Sequence, residues 1–550
     1  MGNMKELLQS ALKDAFQSLF DEGGKTLSCE GEPSFDVTFP KDDSHGDYTS
    51  NIALSLARHL KQSPLDIAHR LEEQLSKDNR LRQFTIEVVA PGYINFSATP
   101  EMLAGIVAEI CAKKNEYGAQ ERNDHGKILL EFISANPTGP LHMGNARGGF
   151  FGDTLSRILK KCGYDVSTEY YVNDAGEQVA KLGHSVLKDT EAVYGGEYID
   201  DLGKRWARQS GTSSTTDPRV VGAWAGRIVL EEYIQKTVSE RMGISFDDFI
   251  SEKNDIVEAG YVDRAISFLK EEGLTHEEQG ALWLRTTQYG DDKDRVLIKA
   301  NGERTYFASD CGYLLHKKER GFDRISEVWG ADHHGYVARF HAAAEALGFA
   351  RDRVTFTLVQ LVRLVKNGQE VRMSKRAGNI VTVDELLNRI DVDVVRFFFL
   401  MYSPDTHMNF DMGLAEERSQ KNPVFYVQYA HARMASIFRK AEEELGMNMQ
   451  EFSVNQEEIH LQNSKEILLV RHLAKFSEVL CSAVETSTVH QLPQYAIRLA
   501  DLFHSFYNEC TVLDSGNMPV TRSRLALVGA TKNVLAETLR LIGVSVPERM

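Results

Sequence analysis

The sequence predicts an α/β chain built around a doubly wound parallel sheet that carries an insertion. A small α/β unit precedes the sheet and an all-helical bundle follows it. Three observations carry this reading. KILLEFIS, from Lys127, is a short apolar run suited to a buried parallel strand; a loop, a helical period and a second strand-like run, DVSTEYYVND, follow it. A second half of the same kind begins at RISEVWGADHHG and continues into ARFHAAAEALG. Beyond about residue 412 nearly all apolar residues recur at helical spacing, the signature of a bundle.

Taken in order, residues 1–112 read as the small α/β unit. MKELLQSALKDAFQSLF is an amphipathic helix, NIALSLARHLKQ a second, and FTIEVVAPGYINFSA two strand-like runs punctuated by APG. The charged stretch KKNEYGAQERNDHGK marks a boundary, and residues 120–411 form the sheet domain. There the helix after the first strand is expected over Ala146–Lys161, with Gly163 as its C-terminal cap. Residues from about 190 to 295 read as a helix-rich, charged insertion between the two halves. LVQLVRLVKNGQEVRMS reads as a hairpin turned at Asn367-Gly368, and Thr382-Val-Asp-Glu385 as a capping box opening a helix. In residues 412–550, NPVFYVQYAHARMASIFRKAEEELG and SRLALVGATKNVLAETLRLIG are the longest periodic segments, and Pro493, Pro519 and Pro547 lie outside the apolar periods.

Composition narrows the class. Of 550 residues, 42 % are hydrophobic and 26 % charged, the balance of an ordinary folded protein. The first twenty residues alternate charge with an apolar stripe, unlike a secretory leader, and nothing approaches the ~20 apolar residues of a membrane span. Cys29, Cys111, Cys162, Cys311, Cys481 and Cys510 stand singly in sequence, which argues for reduced thiols in the cytosol and against a zinc site. A net charge of −16 speaks against a nucleic-acid partner at first sight. Residues 411–550, however, carry 14 Lys and Arg against 17 Asp and Glu, so the tail is the least acidic large segment.

Two constellations carry chemistry. His142-Met143-Gly144-Asn145 stands between a strand and a helix, where free backbone N–H groups and the positive dipole end suit a nucleotide phosphate. Gly144 permits close approach of backbone to a base, and His142 can donate to phosphate oxygens as charge develops. Alone the motif is weak, since HxGN occurs by chance in about one chain in fifteen of this length. Arg372-Met373-Ser374-Lys375-Arg376 follows the hairpin; Lys375 on such a loop would neutralise the leaving pyrophosphate, although a solvated basic turn is the plainer reading.

The pair, with Lys375 placed 233 residues after His142, resembles the two signatures of class I aminoacyl-tRNA synthetases. EFISANPTGPLHMGNARGGFFGD, YYVNDAG, GADHHGY, NPVFYVQYAHAR and VSVPERM are similar to segments of bacterial-type arginyl-tRNA synthetases, and FTIEVVAPGYINF to that family's N-terminal domain. The resemblance implies a Rossmann-like catalytic domain, a tRNA-contacting N-terminal domain and a helical anticodon-binding domain. It also implies a monomeric cytoplasmic enzyme, independent of membranes, that joins L-arginine to tRNA(Arg) with ATP and Mg²⁺ through an arginyl-adenylate. His142, Gly144, Asn145, Met373, Ser374 and Lys375 would then hold ATP, with His142, Asn145 and Lys375 catalytic. Glu131, Ser134, Asn136, Tyr306, Asp310 and His333 would hold arginine. Asp310 and Tyr306 would face the guanidinium, a planar cation that a carboxylate grips bidentately. Asn145 is a departure, since the most widespread form of the first signature ends in His.

Other readings stand beside these. Asp310 is also placed to cap a helix beginning at CGYLLHKK. Glu131, a carboxylate ending an apolar strand, is costly unless paired. His333 and His334 have only Asp332 nearby, too few ligands for a metal. Phe425, Tyr426, Tyr429 and His431 form a stripe suited both to stacking on unpaired bases and to bundle core.

Overall fold

The computed structural model describes residues 4–21, 35–40, 42, 45–122, 126–210, 217–366, 368–370, 381–449 and 451–550. The N-terminal unit comprises α1 (Met4–Asp21), β1 (Val37–Thr38), β2 (Tyr48–Ser50), α2 (Ile52–Leu60), α3 (Pro64–Leu75), β3 (Phe84–Val89), β4 (Tyr93–Ala98) and α4 (Pro100–Lys113). Its four strands pair antiparallel in the order β1-β2-β4-β3. The APG punctuation sits where the β3–β4 hairpin turns, as its sequence predicts.

The sheet domain begins with β5 (Lys127–Phe132), α5 (Met143–Lys161) and β6 (Asp165–Val172). α5 starts three residues before the predicted Ala146 because His142 is its N-cap; Gly163, at φ 80°, follows the C-cap Cys162 in the left-handed conformation that only a residue without Cβ adopts cheaply. Next come α6 (Glu177–Leu187), α7 (Glu197–Ser210), α8 (Pro218–Ile228), β7 (Asp248–Ser251), α9 (Tyr261–Glu271), β8 (Thr275–Glu278), β9 (Ala281–Leu284), β10 (Arg295–Ile298), α10 (Tyr306–Glu319), β11 (Arg324–Gly330), α11 (Val337–Ala346) and β12 (Val354–Val359). All five strands of the central sheet are parallel, in the order β12-β11-β5-β6-β7. The chain steps outward from β5 through β6 to β7 and resumes on the other side with β11 and β12. The topological switch point therefore lies between the carboxyl ends of β5 and β11, where such sheets open a crevice.

The stretch from 190 to 295 differs from its helix-rich reading. It contributes β7 to the edge of the central sheet, and β8, β9 and β10 form a separate antiparallel sheet. These strands are four residues each, too short for an alternation to stand out against their charged flanks.

β13 (Val362–Lys366) and β14 (Gln369–Glu370) form the predicted hairpin; Gly368 is described there and Asn367 is not. α12 (Val383–Leu387), α13 (Val392–Leu400) and β15 (Met408–Asp411) follow, with β15 parallel to β13. The capping box is present: Glu385 N–H donates to Thr382 Oγ1 at 3.1 Å and Thr382 N–H to Glu385 Oε2 at 3.0 Å. From α14 (Met412–Glu416) onward the described chain is helical: α15 (Pro423–Leu445), α16 (Ser464–Ala474), α17 (Phe476–Thr486), α18 (Gln491–Glu509) and α19 (Met518–Ile542). Pro493 lies inside the first turn of α18, where a missing N–H costs nothing.

Apolar packing runs without interruption through all three parts. Tyr117, just after α4, stacks on Phe476 of α17 with centroids 6.2 Å apart. Arg396 of α13, 1 % exposed, joins more distant segments: its Nη1 donates to Asp153 of α5 and to Ile542 C=O of α19 (3.1 Å), and its Nη2 to Met242 C=O (2.8 Å). Gly543 makes room for it, since a Cβ there would lie 1.8 Å from Nη1.

Candidate active site

Beyond β5 the backbone turns through Ile133 (φ 69°) and Ser134 (φ 39°), a conformation that is uncommon for a β-branched residue. Tyr171 N–H donates to Ser134 Oγ (3.0 Å), while Tyr170 Oη donates to Ala135 C=O (2.8 Å) and accepts from its N–H (3.0 Å). These bonds fix the loop that leads to α5. At the N-terminus of α5, Gly144 N–H donates to His142 Nδ1 (3.1 Å) and His142 N–H to Asn145 Oδ1 (3.1 Å). The Asn145 oxygen is thus engaged as a cap, which leaves its amide NH₂ to donate. Crowding by protein holds the His142 pKa below its ordinary value, against the pull of Asp332. His142 also bridges to Thr382, the residue that begins α12.

Arg147, one turn into α5, is 2 % exposed and donates to three carbonyls: Gln360 (2.8 Å), Thr406 (2.9 Å) and Ser403 (2.8 Å). Burial lowers its pKa to about 10. It fastens the signature helix to the segments that precede β13 and β15. Met373, Ser374 and Lys375 lie outside the described residues. Their flanks are nevertheless fixed, by the β13–β14 hairpin before them and by Thr382 after.

The carboxylates gather beside this cleft. α10 begins at Tyr306 with Thr305 as its N-cap, so Asp310 lies one turn inside the helix and does not cap it. Tyr306 and Asp310 share a face, i and i+4. Tyr306 Oη accepts from Glu177 N–H at 3.3 Å, and Asp310 Oδ2 accepts from Tyr336 Oη. Burial pushes Asp310 up to about 6, opposed by the Tyr336 hydrogen bond. Glu252, directly after β7, is 4 % exposed, and its Oε2 has no hydrogen-bond partner among the described residues. Burial, then the neighbouring Asp310 and Asp174, push it up to about 7. Two neighbouring buried carboxylates, both with raised proton affinity, are the kind of perturbed pair that marks a candidate binding site. The sequence reading missed Glu252; its signal is the one that picked out Glu131, an acid directly ending a short strand.

Glu131 itself sits beneath the cleft. The sheet register sets Glu327 beside Glu131 and Glu131 beside Glu169, a row of three glutamates across β11, β5 and β6. α10 answers them: Lys317 Nζ reaches Glu131 (2.7 Å) and Glu327 (2.6 Å), Tyr313 Oη lies 2.7 Å from Glu131 and 2.5 Å from Glu169, and Arg320 pairs with Glu169. Burial disfavours the Lys317 ammonium, but Glu131, Glu327 and Glu169 outweigh it and raise its pKa. Burial, the largest cause, raises both Glu169 and Glu327 above the ordinary carboxylate range, against the pull of Lys317. The row holds α10, and with it Asp310, against the sheet.

Asn136 is exposed on the loop after Ser134, and His333 is exposed on the turn after β11, its ring 6.0 Å from Trp329 and its Nε2 3.6 Å from Asp332. Among the described residues no group of three or more His, Cys, Asp or Glu is placed to hold a metal ion. In the helical domain His431 is 1 % exposed and bonds Pro547 C=O (2.9 Å), so it is core and cannot stack on a base. Tyr426 and Tyr429 flank His504, and Arg433 lies over the Tyr429 and Tyr507 rings at 5.1 and 5.2 Å.

A parallel sheet with its switch point at β5/β11, a histidine-capped helix beside it and a helical tail behind define a class I aminoacyl-tRNA synthetase. Family models agree along the chain: "Arginyl tRNA synthetase N terminal domain" matches residues 2–98, "tRNA synthetases class I (R), catalytic domain" residues 106–210 and 213–393, and "DALR anticodon binding domain" residues 427–550. The chain belongs to the arginyl-tRNA synthetase family. It is 39 % identical to the arginine–tRNA ligase of Bacillus subtilis (strain 168) over the full length of both, and 42 % identical to that of Listeria monocytogenes EGD-e over 94 % of this chain and 95 % of that one. The solved Thermus thermophilus arginyl-tRNA synthetase shares the fold over the full length of both chains, with a TM-score of 0.77 at 22 % identity.

Proposed function

We propose that this chain ligates L-arginine to tRNA with ATP through an arginyl-adenylate, and that the cleft between the ends of β5, β7 and β11 is where activation occurs. The observation that carries the reading is a pair of neighbouring buried carboxylates: Asp310, one helical turn from Tyr306, and Glu252, whose Oε2 has no hydrogen-bond partner among the described residues. A guanidinium donates five N–H bonds in one plane, enough to satisfy both carboxylates. Ser134, Asn136 and His333 border the backbone end of the amino acid, and Glu131 supports the floor.

Nucleotide phosphates meet the N-terminus of α5, where His142, Gly144 and the Asn145 amide face them. In the first step the arginine carboxylate oxygen bonds to the α-phosphorus, the bridging bond to the β-phosphate breaks, and pyrophosphate leaves. His142 stabilises the charge that builds on the α-phosphate, and Lys375, with Met373 and Ser374, that on the leaving group. Mg²⁺ arrives with ATP as part of the substrate and spreads the phosphate charge. In the second step the terminal ribose hydroxyl of tRNA attacks the arginyl carbonyl and AMP departs. No protein nucleophile is needed. Tyr426, Tyr429 and Arg433 offer half-buried rings and a cation to the anticodon. The described chain has no helix long and apolar enough to cross a membrane, and the reading is completed by a monomer acting in the cytoplasm.

Charging assays with purified tRNA and each of the twenty amino acids test the proposal. Acid-stable arginyl-tRNA formed with arginine alone is expected, and comparable charging with any other amino acid would overturn the substrate.

A further inference from the structure

The rear end of α5, opposite His142, is where all three parts of the chain meet. Cys162 caps it, its N–H donating to Ile158 C=O at 2.9 Å. Gln120, on the segment leaving the N-terminal unit, donates its backbone N–H to Lys161 C=O (3.1 Å), and its side-chain Nε2 lies 2.8 Å from Cys481 Sγ on α17. Lys161 reaches Glu537 of α19 at 2.9 Å. The thiols of Cys162 and Cys481, which stand singly in the sequence, lie in hydrogen-bonding contact across the interface of the catalytic and helical domains. Neither enters the activation reaction proposed above.

We propose that Cys162 and Cys481 form an oxidative modification site, a dithiol that hydrogen peroxide converts to an intramolecular disulfide joining α5 to α17. The two cysteines differ in a way that assigns their roles. Cys162 is 2 % exposed, whereas Cys481 is half-buried under the exposed Gln120. Donation from the Gln120 amide to Cys481 Sγ favours the Cys481 thiolate.

Cys481 thiolate attacks one peroxide oxygen; an S–O bond forms, the O–O bond breaks, and the hydroxide released takes a proton to become water. The product is a sulfenic acid. Cys162 sulfur then attacks the Cys481 sulfur; the S–S bond forms, the S–O bond breaks, and the second oxygen leaves as water with the Cys162 proton. Two thiols and one peroxide thus give one disulfide and two waters, two electrons passing from sulfur to oxygen.

The test uses the full-length, fully reduced protein. After brief treatment with peroxide and alkylation of remaining thiols, proteolysis and mass spectrometry should find one peptide pair linked through Cys162 and Cys481, two hydrogens lighter than its parts and separated by dithiothreitol. In Cys162→Ser the link should vanish and dimedone should trap a sulfenic acid on Cys481; Cys481→Ser, at the less buried position, should abolish both. The oxidised parent should also unfold at a higher temperature than the reduced one, a difference absent from Cys481→Ser. Both thiols remaining alkylatable after peroxide, Cys481 passing to sulfinic acid without a link in the parent, or a link to another cysteine would each overturn the proposal. None of these outcomes depends on arginine charging.

Discussion

The backbone N–H of Val383 donates to the carbonyl of Leu141 at 2.8 Å, so the chain emerging from residues 371–380 is fastened to the residue just before His142. The first signature and the described residues that follow 371–380, far apart in sequence, meet through this bond and the His142–Thr382 bridge. Thr382→Ala removes the hydroxyl that caps α12, a loss of about 0.5–2 kcal/mol in local helix stability. Adenylate formation, followed by ATP–pyrophosphate exchange with tRNA present, should slow more than arginine KM rises. A change in KM alone would show that the joint does not serve the phosphate end.

Lys375→Ala should depress exchange by about 10²–10³ while leaving tRNA affinity nearly intact, since one charge-stabilising donor is lost. A rate within a factor of about two of the parent would assign the basic turn to solvent.

The pair Asp310 and Glu252 sets a pH dependence. Their folded pKa values, about 6 and about 7, exceed the roughly 4 of unfolded carboxyls. The proton is therefore bound more tightly in the folded chain, and the stability these groups contribute is full below about pH 4 and lost as pH rises through 6 to 7. In the proposed site the guanidinium binds both carboxylates in their ionised forms, so arginine KM should rise as pH falls below about 7. Glu252→Gln should flatten that rise, and Asp310→Asn should reduce the preference for arginine over citrulline. An unchanged preference in both variants would remove these carboxylates from recognition.

Lys317→Met leaves the glutamate row without its central cation and should cost about 3–5 kcal/mol in denaturant unfolding. Adding Glu327→Gln should recover part of this loss, because one excess carboxylate is then neutral. Additive losses in the double variant would mean that the two side chains are not coupled.

Much of this architecture was legible in the sequence. KILLEFIS and the Thr382–Glu385 box are local signals, decided by apolar period and by capping within a few residues, and each lies where those signals put it; the HMGN turn lies at the predicted strand-to-helix junction, with α5 reaching three residues further back to its cap at His142. What stayed hidden is non-local. Glu252 comes beside Asp310 only because β7 joins the sheet edge beside β6, and a four-residue strand is too short to announce that pairing. Lys317 reads as one of several basic residues closing a helix, although the sheet register makes it the counter-ion of two glutamates. His431 belongs to an aromatic stripe whose burial depends on Pro547, 116 residues away. Cys162 and Cys481 likewise meet only through tertiary packing.

Arg396 bears on how the protein can be dissected. Family models partition the chain into successive segments, which invites surgery at about residue 412 to separate activation from anticodon reading. The guanidinium, however, draws on Ile542 from beyond the cut and on Asp153 and Met242 from before it. Excising the tail would strip a buried cation of one acceptor and uncover the apolar faces that α17 and α19 now protect. A severed catalytic fragment would be an injured protein rather than a simpler one, and its silence in an assay would say little about what the anticodon domain contributes. Point changes on the outer surface of α15 and α18 are the sharper instrument.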